Sequence, residues 1–334
     1  MKENAVGQAR GAVRRIAAAA VLVCVLGLLT GCGDSSAGES GPAAKPSTTA
    51  SQPTEQGSVG EPGISAGTSP PPKFPTPDDV GVPDGWKPVR TVTGEFPIDD
   101  DGAVIEDLRV ENGTVIVRAD NVTIRRVELV NSAIRNEWDR CYNGLVVEDS
   151  TFRGDRLPYG SDAPIWPGGY TARRVLVQEL PEGLRASGAP EGCEYVRVED
   201  SYISVRRPEQ DCQEWHGDSF QGYMGPTVEL RQTVLVLDGD ISNDCAGTAP
   251  FFYPDQGNAD AVIDGLVVKG GTYSFRLQTP ATIKNLYVVR DAWQYGPLDV
   301  NCELVTSWDA YLTTLGSDGQ PTAVETLPCD NEIS

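Results

Sequence analysis

The 334-residue chain reads as an all-β solenoid of short strands, preceded by an export segment and a flexible tether. Three observations point to the solenoid. Short β-branched runs of three to five residues recur from about residue 115 onward, alternate roughly with period two, and are closed by Asn, Asp or Gly, as strands separated by turns are. From Val122 through Leu145, Val175, Val196, Val228 and Val262 to Ile283 the runs return at steps of 21 to 34 residues, the irregular coil length of a solenoid with loops inserted in some turns. Helical periodicity is absent.

Residues 1–31 come first. Lys2, Arg10, Arg14 and Arg15 precede an apolar run from Ile16 to Leu29, and Leu29-Thr30-Gly31-Cys32 follows. That is the layout of a secretory signal, and the run is shorter than the ~20 residues of a spanning helix, so cleavage is expected. Leu-Thr-Gly before a cysteine resembles the lipobox of bacterial lipoproteins. The resemblance implies cleavage before Cys32, lipid on its thiol, and a protein held on the outer face of the cell membrane, since each buried CH₂ of an acyl chain contributes ~0.8 kcal/mol.

Residues 32–73 hold the lipidated cysteine and a linker of Gly, Ser, Thr, Ala, Pro, Glu and Gln with no aromatic residue before Phe74. Such a stretch cannot bury enough apolar surface to offset the entropy of ordering, and it reads as a spacer.

Residues 74–334 carry the rungs. Val122-Thr123-Ile124-Arg125-Arg126-Val127, Val146-Val147-Glu148-Asp149-Ser150-Thr151 and Val198-Glu199-Asp200-Ser201-Tyr202 share one phrase of strand, polar turn and strand. At the bend an Asn or Asp is expected to bond its own backbone while the flanking aliphatics point into a narrow core. A β-sandwich would also show many short strands, but its strands pair through tight hairpins, and few Asn-Gly or Asp-Gly turns stand at the two-residue spacing hairpins need.

Four stretches carry a likeness to a known family: Phe74-Pro75 with Gly81-Val82-Pro83-Asp84-Gly85, Asp101 to Leu108, Asp120 to Arg125, and Trp215-His216-Gly217-Asp218-Ser219-Phe220-Gln221. The chain resembles the right-handed parallel β-helix superfamily of pectate lyases and polygalacturonases, and especially actinobacterial secreted proteins of that fold, over most of residues 74–300. The resemblance implies a single-stranded right-handed parallel β-helix with inserted loops.

Of eight cysteines, Cys24 leaves with the signal and Cys32 takes lipid, leaving Cys141, Cys193, Cys212, Cys245, Cys302 and Cys329. An even set in an exported chain is expected to form three disulfides, with fifteen connectivities open. The formal charge of −21 becomes about −24 when residues 1–31, with four basic residues and one acidic, are removed. An acidic surface of this size repels nucleic acid and is compatible with bound Ca²⁺, though no cofactor or metal site is marked by the sequence.

His216 is the only histidine and lies in the densest set of catalytic residue types, Asp211 to Gln221. On an extended segment Glu214, His216 and Asp218 share one face, which would set an imidazole between carboxylates and suit it to acid or base work. The family resemblance adds Gln221, through a His-x-Asp-Gly-x-Gln phrase on the groove-facing rung; Ser219 stands where that phrase has Gly. The alternative is a polar ladder stapling adjacent coils beside Cys212.

The Asn-Thr-Asp, Asp-Asp and Gly-His-Gly motifs of polygalacturonase-like hydrolases are missing; Asp99-Asp100-Asp101 is better read as a solvated turn. Arg206, Arg207, Arg231, Lys269 and Arg276 are candidates for the arginine-type base and Ca²⁺ chemistry of pectate lyases, though each reads more simply as surface charge. Trp166, Tyr170, Trp215, Tyr223, Phe251, Phe252 and Tyr253 are candidate sugar-stacking aromatics, with 164–170 and 250–254 as inserted loops. The expectation is a monomeric, surface-anchored β-helix that binds or processes an envelope or extracellular polysaccharide, with a non-catalytic scaffold or adhesin as the alternative.

Overall fold

The computed structural model describes residues 73–136, 140–208, 215–242 and 245–330. The expectations placed on residues 1–72, with Cys32 among them, and on Asp211, Cys212 and Glu214 lie outside the described residues. No helix among the described residues is long and apolar enough to cross a membrane.

The described chain is a parallel β-helix with three faces. On the first face Val104–Glu106, Thr123–Arg125, Leu145–Glu148, Tyr170–Arg173 and Tyr195–Glu199 stack in order. The second face starts with Arg90–Thr93 and stacks Leu108–Glu111, Glu128–Val130, Thr151–Arg153, Leu176–Gln178 and Tyr202–Arg206. In later coils single strands, Thr227–Asp238, Ala261–Lys269, Ala281–Val289 and Val305–Leu315, run through the corner and join both faces into one 16-stranded sheet.

The third face is split. Phe96–Ile98, Thr114–Val117, Ala133–Arg135 and Ile165–Trp166 form a four-stranded sheet, and Leu184–Ser187, Asp218–Tyr223, Ala249–Tyr253, Tyr273–Leu277 and Gly296–Val300 form a five-stranded one. Every strand ladder is parallel except the last, where Pro321–Thr326 folds back on Val305–Leu315. Parallel stacking of this kind is incompatible with the sandwich alternative, whose sheets are antiparallel. Of residues 250–254, expected as an inserted loop, 250–253 belong to a third-face strand, Ala249–Tyr253, and 164–170 contains the Ile165–Trp166 strand.

The coil repeat differs at one point from the sequence reading. Val175-Leu176-Val177 is not a first-face rung: it begins the second face, while Tyr170–Arg173 stacks between Leu145–Glu148 and Tyr195–Glu199. The steps there are therefore 25 and 26 residues. The apolar run after the corner is the stronger hydropathy signal in that coil, which is why it stood out.

At the corner between first and second faces each coil places one residue in the left-handed region. Asp107, Arg126, Asp149, Arg174, Asp200, Gln232 and Asn285 have φ between 43° and 54°, and Gly265 takes the same place. Non-glycine residues resist this conformation, so the corner needs compensation. Hydroxyls supply it. Ser150 Oγ accepts the Val127 N–H of the preceding coil at 3.0 Å and donates to Glu148 O at 2.8 Å, and Ser201 does the same with Val175 N–H and Glu199 O at 3.0 and 2.7 Å. The backbone bonding expected of the corner aspartates is thus done, at Asp149 and Asp200, by the serine after each, whereas Asp107 is followed by Leu108.

The corner side chains form a charge ladder. Glu106 and Asp107, Arg125 and Arg126, Glu148 and Asp149, Arg173 and Arg174, and Glu199 and Asp200 alternate coil by coil. Arg126 pairs with Asp107 at 2.9 Å, Arg174 with Asp149 at 2.6 Å and Arg173 with Glu199 at 3.0 Å.

The core lies between the faces. In the third face Phe220, Phe251 and Phe275 stack one over another, with centroids 5.6 and 4.8 Å apart. Ahead of the first coil, residues 74–89 run back along the second face as a strap. Phe74, fully buried, meets Tyr287 edge-on at 5.5 Å, Val82 N–H donates to Thr151 Oγ1, and Trp86 Nε1 donates to Asp107 Oδ1. The strap explains why the outward-facing Val234, Val267 and Tyr287 are buried.

Candidate functional site

The five-stranded third face brings chemistry-bearing residues into register. Its strands pair Arg185 with Gln221, Gln221 with Phe252, Phe252 with Arg276, and Arg276 with Asp299. Alternation along each strand turns this row outward while Leu184, Phe220, Phe251, Phe275 and Leu298 turn inward. Arg185 Nη2 donates to Gln221 Oε1, and its Nη1 lies 3.0 Å from Asp162. Arg276 Nε donates to Asp299 at 2.8 Å, and its guanidinium sits 5.0 Å over the Phe252 ring and 5.6 Å from that of Tyr273.

Beside this row opens a cleft of ≈ 230 Å³ lined by Trp215, His216, Thr248, Thr272, Arg276, Gln294 and Tyr295 together with Ala246 and Gly247. His216 is exposed. Trp215 is fixed by an Nε1–H bond to Pro181 O at 2.8 Å, and Gly217 is required because a Cβ there would lie 2.3 Å from the indole. The cleft is below the ~300–1,000 Å³ of enclosed small-molecule pockets.

Asp218 does not join His216. The strand begins at Asp218, so His216 lies outside the regular alternation that the expected shared face relied on. The Asp218 side chain is fully buried, and its Oδ1 accepts Ala249 N–H at 2.9 Å. Arg276 lines the same cleft as His216, while Asp218 lies inside the wall. Gln221 stays on the outward row, bound to Arg185.

Of the five basic candidates, only Arg276 shares the cleft with His216. Arg206 and Arg207 line a separate depression with Asp238, Arg231 pairs with Glu229 at 3.1 Å, and Lys269 is exposed elsewhere. Sixty residues of sequence hid the Arg276 juxtaposition; the parallel register creates it. Among the candidate aromatics, Tyr170, Phe251 and Tyr253 are core residues, Trp215 and Phe252 reach the face of the site, and Tyr223 is exposed.

The sequence reading missed Glu182, Arg185 and Tyr295. Glu182 stacks beside Asp218, since Leu184 pairs with Phe220 and Gly183 N–H donates to Asp218 O at 2.8 Å. Burial raises the pKa of both carboxyls, and the Arg185 guanidinium opposes the shift in each. The only sequence signal was Pro181-Glu182-Gly183 at the start of a rung, which carries no catalytic spacing.

Among the described residues no group of three or more His, Cys, Asp or Glu is placed to hold a metal ion. Cys141 bonds Cys193 and Cys302 bonds Cys329; Cys245 is also disulfide-bonded. Such bonds belong to an oxidising, extracytoplasmic environment.

No known protein family, no curated protein and no solved structure matches this chain. The fold therefore defines its class: a disulfide-bonded parallel β-helix with a polar, aromatic-edged cleft on its third face.

Proposed function

We propose that the protein is an exported lipoprotein, anchored through Cys32 on the outer face of the cell membrane, whose β-helix binds an envelope or extracellular polysaccharide along its third face. The observation that carries the reading is the cleft at His216. It is lined by the aromatic rings of Trp215 and Tyr295 together with Thr248, Thr272, Gln294, Arg276 and His216. Sugar rings need that combination of flat apolar contact and clustered donors and acceptors.

The described lining, a set of aromatic, hydroxyl, amide, imidazole and guanidinium groups, supports binding; the carboxylate pair that glycoside hydrolysis calls for is not among the described lining residues, and Glu214 lies outside the described residues. The test is affinity electrophoresis of the protein through gels loaded with a panel of neutral and acidic polysaccharides. Retardation by at least one of them, relieved in Arg276→Ala and Tyr295→Ala, is expected. Unchanged mobility in every gel by a folded protein would instead favour a scaffold that presents its surface without binding glycan.

A further inference from the structure

We propose that Glu182 and Asp218 share one proton between neighbouring coils, and that this proton holds together the wall beneath the His216 cleft. The inference rests on the binding reading above for its consequence, and on the buried geometry alone for its chemistry. Glu182 and Asp218 occupy the same register position in adjacent third-face coils, about 4.8 Å apart along the stack. Both carboxyls are tied to the next coil: backbone N–H of Asp218 bonds the Glu182 carboxyl, and Ala249 N–H donates to Asp218 Oδ1. What remains is Glu182 Oε1 and Asp218 Oδ2, each shut off from solvent and without a hydrogen-bond partner.

Two bare carboxylates so placed would leave both oxygens unbonded and repelling. A single O–H, the one donor a carboxylic acid can supply, satisfies both.

The surrounding charges do not replace that proton. Arg185, on the same strand as Glu182, is engaged by Asp162 and Gln221; Arg276, on the strand next but one from Asp218, is engaged by Asp299. Arg185 Nε is itself buried without a partner. His216 lies at the surface, and Trp215 covers Pro181 and Gly217, the residues just before the two acids. Burial pushes Glu182 from 4.5 up to about 8 and Asp218 well above its ordinary range. An acid whose folded-state pKa is raised keeps a proton that the unfolded chain gives up. The stability it contributes is therefore complete below about pH 4.5 and declines as pH rises toward about 8. Above that, the pair becomes two repelling carboxylates, and the Trp215–Gly217 wall of the cleft loosens.

The sole histidine is the reporter. In the full-length protein labelled at histidine, the His216 ring signals and the melting temperature are followed from about pH 5 to about pH 9. A second, alkaline inflection of the His216 signals and a falling melting temperature are expected. Both should be lost in Glu182→Gln and Asp218→Asn, whose neutral amides fill the same space and supply a donor. A single inflection with a flat melting temperature in the parent, or variants that keep the parent's alkaline decline, would overturn the shared proton. Polysaccharide retardation should weaken above about pH 8 in the parent and persist in Glu182→Gln. If no polysaccharide is retarded while the alkaline inflection and its loss are seen, the glycan reading fails and the shared proton stands.

Discussion

Ser150 and Ser201 hold the coil corners through buried hydroxyls that bond the N–H of the coil before and the carbonyl two residues back. Replacing Ser150 by Ala leaves the Val127 N–H, already inside the core, without a partner. The cost should be about 1–3 kcal/mol, read by urea denaturation; a variant as stable as the parent would show that the hydroxyl is not what compensates the left-handed Asp149. The phrase Glu-Asp-Ser was legible in the sequence, but the division of labour inside it was not. Either side chain can bond a local backbone, and only the fold decides which one faces the core. The same limit applies to His216 and Asp218, which share a phrase yet end on opposite sides of the wall.

At the scale of the coil, the charge ladder was the clearest sequence signal left unused. Paired acids and paired bases alternate at Glu106-Asp107, Arg125-Arg126, Glu148-Asp149 and Arg173-Arg174, marking each first corner more sharply than the aliphatic runs do. That signal would have kept Val175 off the first face. The hydrogen bond from Arg125 holds the Glu106 carboxyl below its usual range, and that from Arg126 does so for Asp107. Depressed acids contribute stability that is present above their unfolded pKa and lost as pH falls through the folded one. The ladder thus weakens on the acid side, the opposite flank from the Glu182–Asp218 pair. Because these groups are only half-buried and screened by solvent, Arg126→Ala should lower the urea midpoint only slightly. Arg126→Glu should cost more, by setting like charges against Glu106 and Asp107, and the excess should shrink in molar salt. Equal urea midpoints for the two variants at low salt would remove the ladder from the account.

For the molecule as a whole, hydropathy and turn spacing announced an all-β solenoid, and parallel stacking on three faces is what the chain forms. The strap was not foreseen, because residues 74–89 have no strand pattern and declare themselves only through the apolar stripe they cover on the second face. Nor was the cleft, whose residues come from strands and loops up to 80 positions apart and meet only through register. The proposed lipid anchor at Cys32 has its own test: Cys32→Ser should release the protein from the membrane fraction without changing its melting temperature, and a variant that still sediments with membranes would refute it. The claim that ties these scales together is that the third face recognises a glycan at His216. Titrating a polysaccharide into the histidine-labelled protein tests it most directly, since every ring signal belongs to one residue. Saturable shifts of the His216 signals, abolished in Arg276→Ala, are expected; His216 signals that stay fixed across the whole panel in a folded protein would contradict the account.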